Sequence, residues 1–238
     1  MKFVKIEGAG NTFLLLDTPA DLDSLTIQSL CHTHQVDGLL HLVPDFSADC
    51  RMHYYNRDGT EGSMCGNGLR CVAFHLGKDC TIATEVGIRK GFCYKDSAKV
   101  EMGTVRILKQ LSLDNRDFFF VDSGVPHALT FVPDVSTIDL NTFGPLYRSH
   151  TAFGPAGTNV SVVQKIDNTK LRIRIYERGV EAETGACGTA ACAACTLLKP
   201  TQPTRYEVIP PSKMALFVEI TPKAADYVAY LEGPCRYL

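Results

Sequence analysis

One sequence pattern occurs twice in this chain, and the two copies are separated by about half of its length. The first copy consists of Tyr55-Asn56-Arg57, a loop, Glu61, Cys65-Gly66 and a run of small and apolar residues. The second consists of Tyr176-Glu177-Arg178, a loop, Glu183, Cys187-Gly188 and a similar run. Landmarks shared in the same order indicate an internal duplication. The sequence therefore predicts two similar halves related by a pseudo-twofold axis, with equivalent residues facing each other.

Each copy of the pattern follows a predicted strand and precedes a predicted helix. Residues 171–176 and 50–54 alternate apolar and polar side chains, which is typical of a strand with one buried face. Residues 188–198 contain no charged side chain and residues 66–77 contain few polar ones, so both helices must be buried all round. Many short strands elsewhere complete the pattern. We therefore predict an α+β fold in which a sheet wraps around one helix in each half, with the domain boundary in a loop at residues 109–116.

Composition excludes several classes of protein. The 238 residues are 45% hydrophobic and carry a net charge of −2, which gives no support for a nucleic-acid or membrane-surface partner. No run of about 18 apolar residues is present to span a bilayer, and the amino terminus lacks the apolar stretch of a signal peptide. We therefore expect a soluble, cytoplasmic protein without a membrane or nucleic-acid partner.

The ten cysteines could form disulfides, bind zinc or carry thiol chemistry. A disulfide framework is not expected in a chain of this length without a secretion signal. Zinc sites use closely spaced Cys and His pairs, whereas Cys65 and Cys71 lie six positions apart, Cys187 and Cys192 lie five apart, and neither has a matching His pair. Most of the cysteines are therefore expected to be small apolar core residues, among them Cys71, Cys192 and Cys195. Cys65 and Cys187 are the exceptions.

Cys65 and Cys187 each stand where a turn enters a predicted buried helix. The start of a helix presents unpaired N–H groups and the positive end of the helix dipole, which favour a thiolate and a bound carboxylate. Inverting a stereocentre without a cofactor requires a base on one face of the carbon and an acid on the other. Two opposed thiols, one of them ionised, meet that requirement in both directions. The sequence therefore favours a cofactor-independent proton transfer at the α-carbon of an amino acid.

Each thiol also needs a partner that sets its protonation state, and His127 and Glu177 are the candidates. A single histidine such as His127 is more often structural than catalytic, and Glu177 alone carries little weight. Arg57 and Arg178 could be surface charges, although an arginine at the same position of both copies suits a carboxylate clamp. The residues alone leave these alternatives open.

Several motifs resemble those of the diaminopimelate epimerases. They are Met64-Cys65-Gly66-Asn67-Gly68-Leu69-Arg70-Cys71, Tyr176-Glu177-Arg178-Gly179, Ala186-Cys187-Gly188-Thr189, Gly8-Ala9-Gly10-Asn11-Thr12-Phe13, Asp37-Gly38-Leu39-Leu40 and Asn56-x-Asp58-Gly59. The resemblance is ordered along nearly the whole chain. It implies interconversion of LL- and meso-diaminopimelate, a step toward lysine and peptidoglycan precursors, without a cofactor or a metal.

The resemblance also implies roles for individual residues. Cys65 and Cys187 would be the acid and base thiols, with His127 and Glu177 as their polar partners. The backbone amides of Gly66-Asn67 and Gly188-Thr189 would hold the reacting carboxylate. The rest of the substrate would be bound by Asn11, Asn56, Asn159 and Arg178. The implied fold has two halves, residues 1–112 with about 227–238 returning and residues 113–226, each a β-barrel-like sheet around a central helix. The implied assembly is a homodimer.

Some positions depart from the family pattern. The usual Gly-Asn-Pro-His reads Gly124-Val125-Pro126-His127, so an asparagine that binds substrate is lost, and Thr12 replaces an aspartate. None of the departures touches the paired cysteines. They therefore concern substrate selectivity and not reaction type.

Three alternatives remain from the sequence. A cofactor-independent racemase of another amino acid, such as glutamate or proline, would also use two thiols, but proline racemases favour Cys-Gly-His-Gly where this chain has Cys-Gly-Asn-Gly. Paired helix starts could instead form a carboxylate-binding module without activity. A metal-binding protein is the third alternative.

Overall fold

The two halves of the chain pass through the same order of helices and strands. The computed structural model describes residues 2–238. Its first half contains β1 (Val4–Gly8), β2 (Asn11–Leu16), α1 (Ser24–His34), β3 (Gly38–Val43), β4 (Cys50–Asn56), β5 (Glu61–Gly62), α2 (Gly66–Leu76), β6 (Cys80–Thr84), β7 (Gly87–Cys93) and β8 (Ser97–Leu113). Its second half contains β9 (Arg116–Asp122), β10 (Pro126–Phe131), α3 (Leu140–Arg148), β11 (Asn159–Lys165), β12 (Lys170–Glu177), β13 (Ala182–Glu183), α4 (Gly188–Thr196), β14 (Thr204–Ile209), β15 (Leu216–Lys223) and β16 (Asp226–Tyr237).

Strand pairing repeats as well. In the first half, β2 runs parallel to β3 across helix α1, β3 is antiparallel to β4, and β4 is parallel to β6. In the second half, β10 runs parallel to β11 across α3, β11 is antiparallel to β12, and β12 is parallel to β14. A parallel pair needs a crossover connection, and α1 and α3 provide it. The duplication inferred from the sequence is therefore present in the topology.

The chain forms two compact units, which divide within strand β8. One unit ends at Glu101 and also contains Glu232–Leu238, and the other is Met102–Leu231. The division lies earlier than the predicted boundary at 112. The loop predicted at residues 109–116 is wrong, because β8 continues to Leu113 and a tight turn leads directly into β9. Asp114 and Asn115 form that turn with positive φ values of 49° and 60°, a conformation that short polar side chains tolerate.

A buried helix lies at the core of each unit. All nine residues of α4 are buried, and α2 buries its residues from Gly66 to Ala73. Helix α2 packs against β1, β2, β4, β6 and β7, whereas α4 packs against β10, β11, β12 and β15. Each helix is therefore surrounded by strands, and the predicted α+β class with a sheet around a central helix is confirmed. Cys71, Cys192 and Cys195 are fully buried on these helices, as predicted for core residues.

The last strand contributes to both units. In the first unit, the Cys235 N–H donates to the carbonyl of Asp96 at 3.2 Å, beside the start of β8. In the second unit, Arg106 of β8 forms a salt bridge with Asp226 of β16 at 3.1 Å. No helix within residues 2–238 is long and apolar enough to cross a membrane.

Candidate active site

Cys65 forms the amino-terminal cap of helix α2. Its backbone is extended, with φ −142° and ψ 103°, and its Sγ accepts a hydrogen bond from the Gly68 N–H at 3.2 Å. A serine or aspartate oxygen caps other helices in the same way. A Cβ on Gly68 would lie 2.8 Å from Leu40 Cδ2 and 3.3 Å from the Cys65 sulfur, so a larger residue there would require the Leu40 side chain to shift. The sulfur is thus held at the positive end of a buried helix.

The Asn67 side chain connects the start of α2 to strand β2. It donates a hydrogen bond to Asn11 Oδ1 and accepts one from the Arg70 guanidinium at 2.6 Å. Arg70 is fully buried, and its other terminal nitrogen donates to the carbonyl of Pro234 at 3.2 Å. The fold therefore brings together Asn11 and Asn67, both predicted to bind substrate, at the start of the Cys65 helix.

Cys187 occupies the equivalent position in the second unit. It caps helix α4 with φ −133° and ψ 112°, close to the values at Cys65. The sulfur has a different neighbour, however. Where Cys65 Sγ meets a backbone N–H, Cys187 Sγ lies 3.2 Å from the hydroxyl oxygen of Thr189. The two copies thus share their backbone geometry and differ in the groups around the thiol.

His127 lies on the other side of the Thr189 hydroxyl. Its Nε2 is 3.0 Å from Thr189 Oγ1, and the ring is fully buried on strand β10. Burial, with a smaller contribution from the positive charge of Arg178, lowers the pKa of His127 to about 3. The imidazole is therefore neutral at neutral pH. The fold brings the predicted residues Cys187, Thr189 and His127 together, with the hydroxyl between the thiol and the ring.

Glu177 ends strand β12, on the far side of the loop that leads to Cys187. Its carboxylate accepts a hydrogen bond from the Thr184 hydroxyl at 2.8 Å. Burial raises the pKa of the Glu177 carboxyl, and the Thr184 hydroxyl opposes that rise. A carboxyl group with a raised pKa exchanges protons more readily near neutral pH, which suits an acid or base role.

The amide of Asn159 is bonded to backbone groups on both sides. Its nitrogen donates to the carbonyl of Pro126 at 3.1 Å, and its oxygen accepts the Arg178 N–H at 2.8 Å. The Arg178 guanidinium donates to the carbonyls of Ala156 and Gly157 at 3.4 and 3.5 Å. Asn159 therefore joins the start of β10, which carries Pro126 and His127, to the turn after β12, which carries Arg178.

In the first unit, Asn56 and Arg57 make different contacts from those of Asn159 and Arg178. Asn56 Oδ1 accepts a hydrogen bond from Tyr54 at 2.7 Å, and its nitrogen donates to Thr60 at 3.1 Å. Arg57 is exposed in the turn after β4. The sequence suggested that Arg57 and Arg178 could bind a carboxylate in equivalent ways. Their surroundings differ in the structure, because Arg178 is partly buried and Arg57 is exposed.

One group of side chains within residues 2–238 could hold a metal ion. His53, Glu61 and Glu85 place their ligand atoms within 4.8 Å of one another, on the surface of the first unit. The His53 Nδ1 is 3.0 Å from Glu61 Oε1, and Arg51 approaches Glu85 at 3.9 Å. The positive charge of Arg51 opposes a cation there. This group includes neither cysteine of the repeat.

The two helix starts provide the same chemical parts. Each presents one thiol, and the first-turn N–H groups of a helix point toward a bound anion. A carboxylate bound there would accept the negative charge that develops when the adjacent carbon loses a proton. The arrangement suits proton transfer beside a carboxylate.

Comparisons with known proteins agree with this chemistry. A sequence model described as Diaminopimelate epimerase matches residues 3–108 and 119–236. The diaminopimelate epimerase of Chlamydia muridarum is 38% identical over 200 residues, which cover 79% of this chain and 74% of that relative. This chain belongs to the diaminopimelate epimerase family. The diaminopimelate epimerase of Flavobacterium psychrophilum is 31% identical over 255 residues, which cover 100% of this chain and 98% of that relative.

Solved structures with the same fold are more distant in sequence. A phenazine biosynthesis protein of the PhzF family from Bacillus anthracis has a TM-score of 0.81 at 14% identity, covering 100% of this chain and 98% of its own. A hydroxyproline epimerase from Agrobacterium vitis has a TM-score of 0.73 at 15% identity, covering 99% and 88%. Membership of the diaminopimelate epimerase family makes this chain an isomerase, and specifically an amino-acid epimerase.

Three side chains around the candidate site were not expected from the sequence. Thr184 bonds Glu177, Arg70 bonds Asn67, and the Ser123 hydroxyl donates to the Thr189 carbonyl at 2.9 Å. Arg70 carries a usable signal, because a charged residue inside a helix that must be buried needs a specific partner. Ser123 and Thr184 stand in loops, where nothing in the local sequence separates them from ordinary turn residues.

Proposed function

We propose that this epimerase interconverts LL- and meso-diaminopimelate by proton transfer between the substrate α-carbon and the thiols of Cys65 and Cys187. One observation carries the proposal. A cysteine with almost the same backbone geometry caps a buried helix in each of the two units of a chain from the diaminopimelate epimerase family.

The proposed reaction begins with one cysteine as thiolate and the other as thiol. The thiolate takes the α-proton, so that an S–H bond forms as the C–H bond breaks and the electron pair moves onto the α-carbon and its carboxylate. The backbone N–H groups of Gly66-Asn67 and Gly188-Thr189 would stabilise that charge. The second thiol then gives its proton to the opposite face of the carbon. The reverse reaction exchanges the two roles.

The other predicted residues complete the proposal. His127 and Glu177 would set the protonation of the thiols, since both have pKa values displaced by burial. Asn11, Asn56, Asn159 and Arg178 would bind the remainder of the substrate. The amides bond protein groups in this structure, so binding would exchange those partners for the distal amino-acid end of diaminopimelate.

Cofactor independence is part of the proposal. Two thiols provide both proton-transfer groups, so the reaction needs neither an electron sink nor a metal ion. We expect activity to survive dialysis against a chelator and the purified protein to lack an absorption band of pyridoxal phosphate. Activity that disappears with the chelator and returns with a metal ion would contradict this. We also propose that the enzyme acts in the cytoplasm as a homodimer.

A related substrate is the second candidate, and Val125 favours it. This residue lies in the turn between β9 and β10, where the family pattern has an asparagine. Without that amide, the distal amino group of diaminopimelate loses one polar contact. Slower racemisation of a shorter acidic amino acid, such as glutamate, is then expected beside diaminopimelate epimerisation.

A panel of amino acids tests the proposal directly. The purified enzyme is incubated with LL- and meso-diaminopimelate, glutamate, aspartate, lysine and proline, and the products are separated by chiral chromatography. We expect diaminopimelate to have the highest kcat/KM. A higher value for proline or glutamate would establish the second candidate, and inversion of none of them would leave a binding module as the better account.

A further inference from the structure

A chain of three polar side chains lies at the start of helix α4. Cys187 Sγ is 3.2 Å from Thr189 Oγ1, and Thr189 Oγ1 is 3.0 Å from His127 Nε2. The Ser123 hydroxyl donates to the Thr189 carbonyl at 2.9 Å and does not contact the Thr189 hydroxyl. One hydroxyl group therefore stands between a thiol and an imidazole, and it can donate only one proton.

The protonation of His127 decides which way that proton points. The ring is neutral, and one of its two nitrogens carries the hydrogen. Its Nδ1 is buried and has no hydrogen-bond partner within the described residues 2–238. A buried N–H without an acceptor is rarer in proteins than an acceptor without a donor, so the hydrogen belongs on Nε2. The Nε2–H then donates to Thr189 Oγ1, and the Thr189 proton is free to point at the Cys187 sulfur.

We propose that Thr189 is a positioning residue whose hydroxyl, oriented by His127, holds the Cys187 sulfur as a thiolate. The inference rests on the proposed function only for what that thiolate does to a substrate. Its effect on the sulfur can be measured without any substrate. A hydrogen bond to a charged group stabilises it more than a bond between neutral groups, so the hydroxyl should favour the thiolate over the thiol.

The first unit provides an internal comparison. At the equivalent position to Thr189 stands Asn67, whose amide bonds Asn11 and Arg70. The Cys65 sulfur accepts the Gly68 N–H instead. The two thiols are therefore set by different groups, and a change at Thr189 should affect Cys187 alone.

Other titratable groups near α4 are few. Among the strands packed against this helix, β10 contributes His127, and β12 ends in Glu177, followed by Arg178. The buried residues of β11 and β15 are uncharged. Glu177 is bonded to Thr184, and Arg178 acts on His127 through its charge. The variants below leave Glu177 and Arg178 in place.

The test is the pH profile of alkylation by iodoacetamide, measured in the absence of substrate. Peptide mass spectrometry quantifies the modification of Cys187 and Cys65 in the same sample. The midpoint is the pH at which a cysteine reaches half of its maximal alkylation rate. In Thr189→Val, which keeps the side-chain shape and removes the hydroxyl, we expect the midpoint of Cys187 to rise by about one pH unit. The alkylation rate below the midpoint then falls roughly tenfold. Thr189→Ser should retain the wild-type profile.

Two further variants keep the test decisive. Ser123→Ala removes a hydrogen bond to the same threonine without touching its hydroxyl, so its Cys187 midpoint should match wild type. His127→Leu removes the ring that orients the hydroxyl, so its midpoint should rise, and it replaces Thr189→Val if that variant does not fold. An unchanged Cys187 midpoint in a folded Thr189→Val or His127→Leu protein would overturn the inference, as would an equal shift at Cys65. An enzyme that shows the shift but does not epimerise diaminopimelate would refute the proposed function alone.

Discussion

At the scale of single residues, the candidate site depends on where each polar group lies relative to a helix start. Cys65 and Cys187 occupy the N-cap position, which ordinarily belongs to Ser, Thr, Asp or Asn. A sulfur at this position lies at the positive end of the helix dipole, which favours the thiolate. His127, Thr189 and Glu177 distinguish the surroundings of Cys187 from those of Cys65, because the first unit has no equivalent buried histidine at the start of α2 within the described residues.

The buried His127 should make stability depend on pH. Its pKa is lowered from 6.5 to about 3, so the unfolded chain binds the proton more tightly than the folded one. The free energy of unfolding should therefore fall as the pH drops below about 6.5, by up to about 1.4 kcal/mol per pH unit. Between pH 7 and pH 5, the free energy of unfolding measured with urea should fall by about 1 to 2 kcal/mol less in His127→Gln than in wild type. Ser123→Ala is the control, and a His127→Gln profile parallel to wild type would show that the histidine is not buried as a neutral ring.

Val125 should influence which substrate is preferred. The residue is partly buried, and its carbonyl accepts the Ser123 N–H at 3.2 Å in the turn before β10. Val125→Asn would restore a polar group worth about 0.5 to 1.5 kcal/mol in one hydrogen bond. We expect the ratio of kcat/KM values for diaminopimelate and glutamate to rise up to about tenfold, with α-proton exchange unchanged. An unchanged ratio would identify Val125 as a packing residue.

At the scale of helices and strands, the sequence predicted the elements that have a clear alternation or an almost entirely apolar composition, and it missed helices that have neither. The strand that carries Glu177 and the buried helices after Cys65 and Cys187 were predicted nearly to their ends. Helices α1 and α3 were not, because α1 has only Ile27 and Cys31 buried and α3 contains Gly144 and Pro145. The contact between His127 and Thr189 could not be predicted either, since it depends on how β10 and α4 pack.

Gly144 shows how a connecting helix positions the site. A Cβ at this position would lie 2.3 to 2.5 Å from atoms of the buried Tyr176, the residue before Glu177. Gly144→Ala should lower the free energy of unfolding by about 1 to 3 kcal/mol through overpacking, although alanine favours a helix by about 1 kcal/mol. Gly185→Ala is the matched control, because its nearest neighbour would be Ser212 Cβ at 3.8 Å. A Gly144→Ala protein as stable as wild type would show that α3 can move away from β12.

At the scale of the whole molecule, one arrangement of helices and strands has been used twice. Each half of the chain contains two paired strands, a crossover helix, three further strands, a cysteine at the start of a buried helix, and three last strands. A single thiol at a helix start could act as a nucleophile or as a redox-active group. Two thiols at equivalent positions in a chain of the diaminopimelate epimerase family are the basis for assigning both of them to one proton transfer.

Deuterium exchange at the substrate α-carbon tests that assignment most directly. Wild type, Cys65→Ser, Cys187→Ser and the control Cys93→Ser are incubated in deuterated water with LL- and, separately, meso-diaminopimelate, and both epimerisation and deuterium incorporation are followed. Serine is a preferred residue at a helix N-cap, so the first two variants should fold. We predict deuterium at the α-carbon of the epimerised product in wild type and Cys93→Ser, and epimerisation slowed roughly 10²–10⁴-fold in Cys65→Ser and in Cys187→Ser. Wild-type epimerisation rates in either of those two variants would contradict the two-thiol mechanism.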